Sequence, residues 1–257
     1  MTSKRLMTNA PTRGGIFSAL LRADFTVFLK NRRSVVISIL LPYLILQSTN
    51  TKTGTANLGG SLFVIGLSIT FGLASTSIMG YSLAVARDRE KGVFQRLRVT
   101  PASTSDIMVS RLAVQILANL IIALIVLIIG SRIHHVSLSA GKYGLVLLIS
   151  ALGGTMFLGI GQALVAFVKT SETVNSTARL LYIGLILLGL LGQGGSLGHT
   201  WDTIAHWSPV GSVMTLFAGV LNLSAWNGHD TAELFATLGY IAVSTTIGIR
   251  WFQWEAR

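Results

Sequence analysis

An all-α integral membrane fold is predicted by three features of the sequence. Hydrophobic residues make up 51% of the 257 and charged residues only 11%, giving a mean hydropathy of +0.66. The apolar residues gather in runs long enough for a helix to cross a bilayer, which needs about 20 of them. The basic residues gather between those runs rather than within them. A net charge of +11 could also suit a nucleic-acid binder, but such proteins collect their basic residues on one folded face, whereas here they flank apolar spans, so no nucleic-acid partner is expected. The chain has no cysteine, which removes disulfides, thiolate chemistry and cysteine-ligated metals.

The first 33 residues carry seven Lys or Arg and no uninterrupted apolar core before a small-residue cleavage site, so they are expected to remain as a cytoplasmic N-terminal region. Within it, residues 16–30 place Phe17, Leu20, Leu21, Phe25 and Phe28 on one helical arc with Arg22, Thr26 and Lys30 opposite, the pattern of an amphipathic helix lying on a membrane surface. Asp24 falls inside the apolar arc and calls for a basic partner that the sequence does not identify.

Residues 34–257 then form one membrane domain with six spans, at 34–49, 58–86, 107–130, 143–168, 174–197 and 231–249. The first is short and carries Pro42 near its centre, so a kink supported by neighbouring helices is expected. The second and fourth carry small residues at every fourth position, Ser68, Gly72, Thr76, Gly80 and Ala84 in one and Ala151, Thr155, Gly159 and Ala163 in the other, which lets helix backbones approach closely in lipid. A further apolar stretch, Val210 to Leu223, has fourteen residues behind Ser208-Pro209 and reads as an outer re-entrant segment between spans 5 and 6. With six spans both termini share a side with the loops after spans 2 and 4. That side holds 17 of the 20 basic residues, which makes it cytoplasmic by the positive-inside rule.

No phosphate-binding G-x-x-x-x-G-K-[ST] loop, nucleophile motif, zinc helix or acid/base carboxylate pair occurs, so the chain is not expected to be an enzyme by itself. The five histidines fall in outer segments at spacings that match no metal-ligand motif. Ionisable residues are scarce within the spans. Arg111, Arg179, Glu233 and Arg250 lie near span ends, from which they are expected to reach water or the interface, an arrangement that argues against a proton-coupled carrier.

One short stretch stands apart. "ARDREKGVFQRLRVTP", residues 86–101, packs seven charged residues into twelve positions between two apolar runs. Gly92 is expected to end or bend the helix there, and Pro101 to stop the short helix that follows. On that helix Val93, Phe94 and Leu97 share a side while Gln95, Arg96 and Arg98 face elsewhere. A solvated topology signal explains the charges but not Phe94 and Leu97, whereas docking into a groove of a cytoplasmic partner explains both.

Residues 87–103, "RDREKGVFQRLRVTPAS", resemble the cytoplasmic signature of ABC-2 type permeases, the membrane subunits of ATP-binding cassette exporters. Members commonly show Arg-Glu-Arg-Glu-x-Gly-Thr, then Leu-Glu-Arg-Leu, then Val-Thr-Pro-x-Ser. Arg87, Arg89, Glu90, Gly92, Arg96, Leu97, Val99, Thr100, Pro101 and Ser103 match, while Asp88, Val93 and Gln95 depart. The resemblance implies a permease in the bacterial plasma membrane that works with a second copy or a sister permease, on a dimer of cytoplasmic ATPase subunits that bind ATP and Mg; no cofactor is expected in this chain itself. It implies that residues 87–101 dock on the ATPase, with Phe94 and Leu97 filling its groove, Arg87, Arg89, Glu90 and Arg96 making polar contacts, and Gly92, Thr100 and Pro101 shaping the segment. It also implies a substrate path along the second and fifth spans, for which Ser75, Thr76, Gln193 and Gly194 are candidates. Efflux of an amphipathic or lipid-like compound such as a drug, antibiotic or glycolipid is the expected function. Export of polysaccharide or teichoic acid, and a non-transporting membrane anchor or sensor, are the alternatives.

Overall fold

A computed structural model of the protein describes residues 13–30, 32–49, 60–98, 104–193 and 198–251, and these residues are helical with short connections and no strand. In chain order the helices are α1 (Arg13–Lys30), α2 (Arg32–Ser48), α3 (Ser61–Ala74), a π-helical turn (Ser75–Tyr81), α4 (Ser82–Glu90), α5 (Val93–Arg98), α6 (Thr104–Ile133), α7 (Ala140–Phe167), α8 (Ser171–Gln193), α9 (His199–His206), α10 (Pro209–Leu221) and α11 (Gly228–Arg250).

Four of these rods are long and apolar enough to cross a membrane: the continuous α3–π–α4 helix from Ser61 to Glu90, then α6, α7 and α8. The bent pair α9–α10 makes a fifth if counted as one span. Helix α2 is shorter, and α11, although 23 residues long, dilutes its apolar residues with Ser, Thr and Glu233.

The Ser61–Glu90 rod is the centre of the bundle, because nearly every side chain of α3 is buried and α2, α6, α7 and α10 all pack on it. The small-residue stripe makes this possible. A methyl group added at Gly72 would come within 3.1 Å of the Pro42 ring, so the proline inside α2 sits directly on a glycine of the central rod. Against the other side, the backbone of Gly161 in α7 lies so close to the π-helical turn that an added Cβ would stand 2.7 Å from the Ser77 carbonyl oxygen. Backbone faces backbone there, and neither can yield locally. Gly161→Ala is therefore expected to lower stability by about 2 kcal/mol, read as a fall in the thermal unfolding midpoint in detergent. Gly184→Ala, where the added methyl meets nothing, should leave it unchanged.

The stretch after residue 198 folds as two helices at 74° to one another. Ser208 caps the second, accepting a hydrogen bond from the Gly211 amide at 3.1 Å, and Pro209 opens its first turn, where a missing N–H costs nothing. Helix α10 then runs through the core, buried on most sides. The expectation that Glu233 sits at an exposed interface is corrected here. Its side chain is 0% exposed and accepts a hydrogen bond from the Ser212 hydroxyl at 2.5 Å, which ties α11 to α10.

Candidate functional site

The charged stretch forms the end of the central rod and the short helix beyond it. Helix α4 runs to Glu90, and after Lys91 the chain turns at Gly92, whose φ of +66° is the left-handed conformation that glycine adopts without a Cβ penalty. Helix α5 follows and contacts α4.

Three consecutive residues of α4 hold other parts of the chain. Asp88 pairs with Arg111 of α6 at 2.7 Å. Arg89, only 5% exposed, points its guanidinium at the end of α7: Nη1 donates to the Val165 carbonyl at 2.9 Å, and Nη2 donates to the Val168 and Lys169 carbonyls at 2.6 and 2.7 Å. Helix C-termini present carbonyls without intrahelical partners and carry the negative end of the dipole, so a guanidinium fork answers both. Glu90 does the converse at the start of α8, where its carboxylate accepts from the Ser171 amide at 2.5 Å and the Ser171 hydroxyl at 2.6 Å. Adjacent residues thus grip the C-terminus of one long helix and the N-terminus of the next. The turn between α7 and α8 is fastened to the end of the central rod.

Phe94 closes the arrangement from α5. Its ring is 1% exposed and packs in a cluster with Tyr81, Val85, Leu158, Val165 and Val174. The Arg111 guanidinium carbon lies 4.7 Å above the ring centroid, within cation–π range. Three expectations are corrected by this geometry. Arg89 does not offer a polar contact to a partner, because its buried guanidinium is engaged by the carbonyls at the end of α7. Phe94 does not project outward as part of an apolar ridge, because the α4–α7–α8 junction supplies an apolar pocket within the chain. Arg111 does not extend to water; its side chain is 13% exposed and is folded between Asp88 and Phe94.

Among the described side chains of the segment, Arg87, Glu90, Lys91, Gln95 and Arg96 are exposed. The backbone of Leu97 belongs to α5, and Thr100 and Pro101 lie outside the described residues.

Asp24 of α1 finds its partner in the same region. Its carboxylate accepts a hydrogen bond from Ser110 at 2.6 Å, one residue before Arg111. Burial pushes the carboxyl up from its ordinary value, opposed by the Ser110 hydrogen bond and by the positive charge of Arg111.

Higher in the rod, the π-helical turn carries a buried polar layer. Thr76 donates to the Asn119 carboxamide oxygen at 2.7 Å, the Asn119 amide donates to Ser77 at 2.9 Å, and Tyr81 donates to Gln162 at 2.8 Å. Ser75 and Thr76, candidates for a path, are both buried within the chain in this conformation. Gln193 is the last residue of α8, and Gly194 lies outside the described residues. The two pairs are therefore not brought together by any described contact.

Sequence reasoning missed the roles of Asp88, Arg111, Ser110 and Ser171. A signal existed for the last, since Thr170 lies within hydrogen-bond distance of the Thr173 amide and hydroxyl, a helix-start pattern readable in "KTSET".

A family model described as ABC-2 type transporter matches residues 16–222, a stretch that runs from α1 through α10. No curated protein matches the chain.

Proposed function

The chain belongs to the ABC-2 type transporter family, whose members are membrane permease components of ATP-binding cassette transporters, and on that premise we propose that it drives export of an amphipathic or lipid-like compound across a bacterial plasma membrane. Six helices span the bilayer in this reading: α2, the Ser61–Glu90 rod, α6, α7, α8 and α11. The bent α9–α10 pair enters from the outer side and returns, and α1 lies on the inner surface. Both termini are cytoplasmic in this reading, which the distribution of basic residues supports. Exposed apolar side chains such as Leu180, Ile183 and Leu187 of α8 face lipid or a second permease copy.

The observation that carries the proposal is the fastening of residues 88–94. A cytoplasmic ATPase pair, binding ATP and Mg, docks on the outward face of α5 through Gln95 and Arg96, with Arg87 and Glu90 at its margin. Phe94 and Arg89 then serve inside the permease. Because Arg89 holds the end of α7 and Glu90 the start of α8, a push on α5 reaches three long helices at once. That is what a transmission element requires, since packed helices shift as units rather than deform. Gly92 sets the angle at which the push enters the rod. In the membrane, Ser75 and Thr76 on the rod and Gln193 and Gly194 near the end of α8 are the residues assigned to the substrate path, opened when the rod moves. The polar groups of the buried layer at the π-helical turn are uncharged, which suits a cargo whose apolar part is the larger.

The experiment is transport. Inverted membrane vesicles holding the permease and its co-expressed ATPase should accumulate an amphipathic dye when given ATP and Mg, and should not when given a non-hydrolysable analogue. Equal accumulation in both conditions rejects ATP-driven export.

A further inference from the structure

We infer that Arg111 is a positioning residue for the docking segment, and that Asp24 of the N-terminal helix is the second carboxylate that shares it. The inference rests on the permease reading above and concerns residues outside the 87–103 signature. One guanidinium serves two elements: it pairs with Asp88 of α4 at 2.7 Å and covers the ring of Phe94 of α5 at 4.7 Å. Those are residues on either side of the Gly92 turn, so Arg111 spans that turn. A guanidinium suits this better than an ammonium, because its fork can pair with Asp88 while its central carbon lies over Phe94.

The second carboxylate is close. Asp24 sits within electrostatic reach of both Arg111 and Asp88, and Ser110 holds it in place at 2.6 Å. Arg111 Nε is buried and has no hydrogen-bond partner among the described residues. The two carboxylates lie on α4 and α1, so Arg111, which also covers the ring of Phe94, links both elements to α5. Asp24, which spoils the amphipathic pattern of α1, is explained by this: it joins the surface helix to the joint that the ATPase moves.

A charge-exchange series tests the arrangement in the full chain with its ATPase. Transport per ATP hydrolysed is read in vesicles, ATPase retention by co-purification, and folding by thermal unfolding. Arg111→Gln and Asp88→Asn are each expected to keep a folded particle and to lower transport per ATP roughly tenfold. Exchanging the pair, Asp88→Arg with Arg111→Asp, restores the attraction but sets a carboxylate at position 111 beside Asp24. Recovery is therefore expected to be partial in the double variant and larger when Asp24→Asn is added. A purely structural role does not predict that third step. Recovery that is the same with and without Asp24→Asn overturns the part of the inference that concerns Asp24, and undiminished coupling in Arg111→Gln overturns the whole.

Should the charge reversals fail to fold, Arg111→Lys keeps the charge and removes the flat face over Phe94. It is expected to retain the ATPase and lose transport per ATP, and wild-type coupling in that variant overturns the positioning role. Absence of any ATPase on the unaltered chain rejects instead the permease reading on which the inference rests.

Discussion

Phe94→Ala is expected to cost about 3–5 kcal/mol and to strip the ATPase from the purified permease, although the ring touches nothing outside the chain. The ring is fully enclosed by Tyr81, Val85, Leu158, Val165 and Val174, so its removal leaves a cavity that four elements would have to close. It also leaves Arg111 above an empty space, which removes the contact that seats α5 across the Gly92 turn. Phe94→Leu refills most of the volume and should recover most of the thermal stability while lacking the aromatic face. A thermal unfolding series on the three proteins, with co-purified ATPase measured on each, checks both parts. If Phe94→Ala unfolds at the wild-type temperature, the internal packing described above is wrong.

Arg89→Met should be nearly as damaging. The methionine fills similar space but offers no donor to the carbonyls of Val165, Val168 and Lys169, which stand at the end of α7 where the helix itself cannot satisfy them. Charge-assisted hydrogen bonds of this kind contribute about 3 kcal/mol together, and leaving the acceptors without donors frees the α7–α8 turn from the rod. Arg89→Lys is expected to fall between, since one ammonium cannot reproduce the fork that reaches three carbonyls. Thermal unfolding and ATP-driven dye accumulation in vesicles are the measurements. Unfolding should be shifted in both variants, with transport lost in Arg89→Met and reduced in Arg89→Lys. Wild-type behaviour of Arg89→Lys would mean that charge alone, and not the fork, holds the turn.

These residues also mark where the sequence was informative and where it was not. Long apolar runs dictate long helices, so α6 and α7 follow directly from hydropathy, and the turn at Gly92 follows from its place between a charged helix end and a short amphipathic piece. The direction of Phe94 does not follow. Periodicity says which side chains share a face of α5, but whether that face meets a partner or the chain's own helices depends on Leu158, Val165 and Val174, some 60 to 80 positions away. Arg89 was hidden for the same reason. A charged residue becomes buried when distant groups complete its hydrogen bonds, and its acceptors lie 76 to 80 residues on. The π-helical turn had no local mark either: Ser75 to Tyr81 reads as ordinary helix, and the wider winding coincides with the close backbone of Gly161 and the side chain of Asn119. Asp24 is the instructive case, because the sequence flagged it as a misfit on an amphipathic face without saying what it met. A residue that breaks its local pattern pointed to tertiary contact.

The central claim is that the outward face of α5 is where an ATPase docks, and the absence of cysteine allows a direct measurement. A single thiol introduced by Gln95→Cys, at an exposed position of α5, can be reacted with a short bifunctional reagent in membranes that contain the ATPase. A permease–ATPase adduct at the summed mass, absent when the thiol is instead placed by Thr246→Cys on exposed α11, is the predicted result. A stable purified permease that forms no adduct at position 95 and carries no ATPase would contradict it.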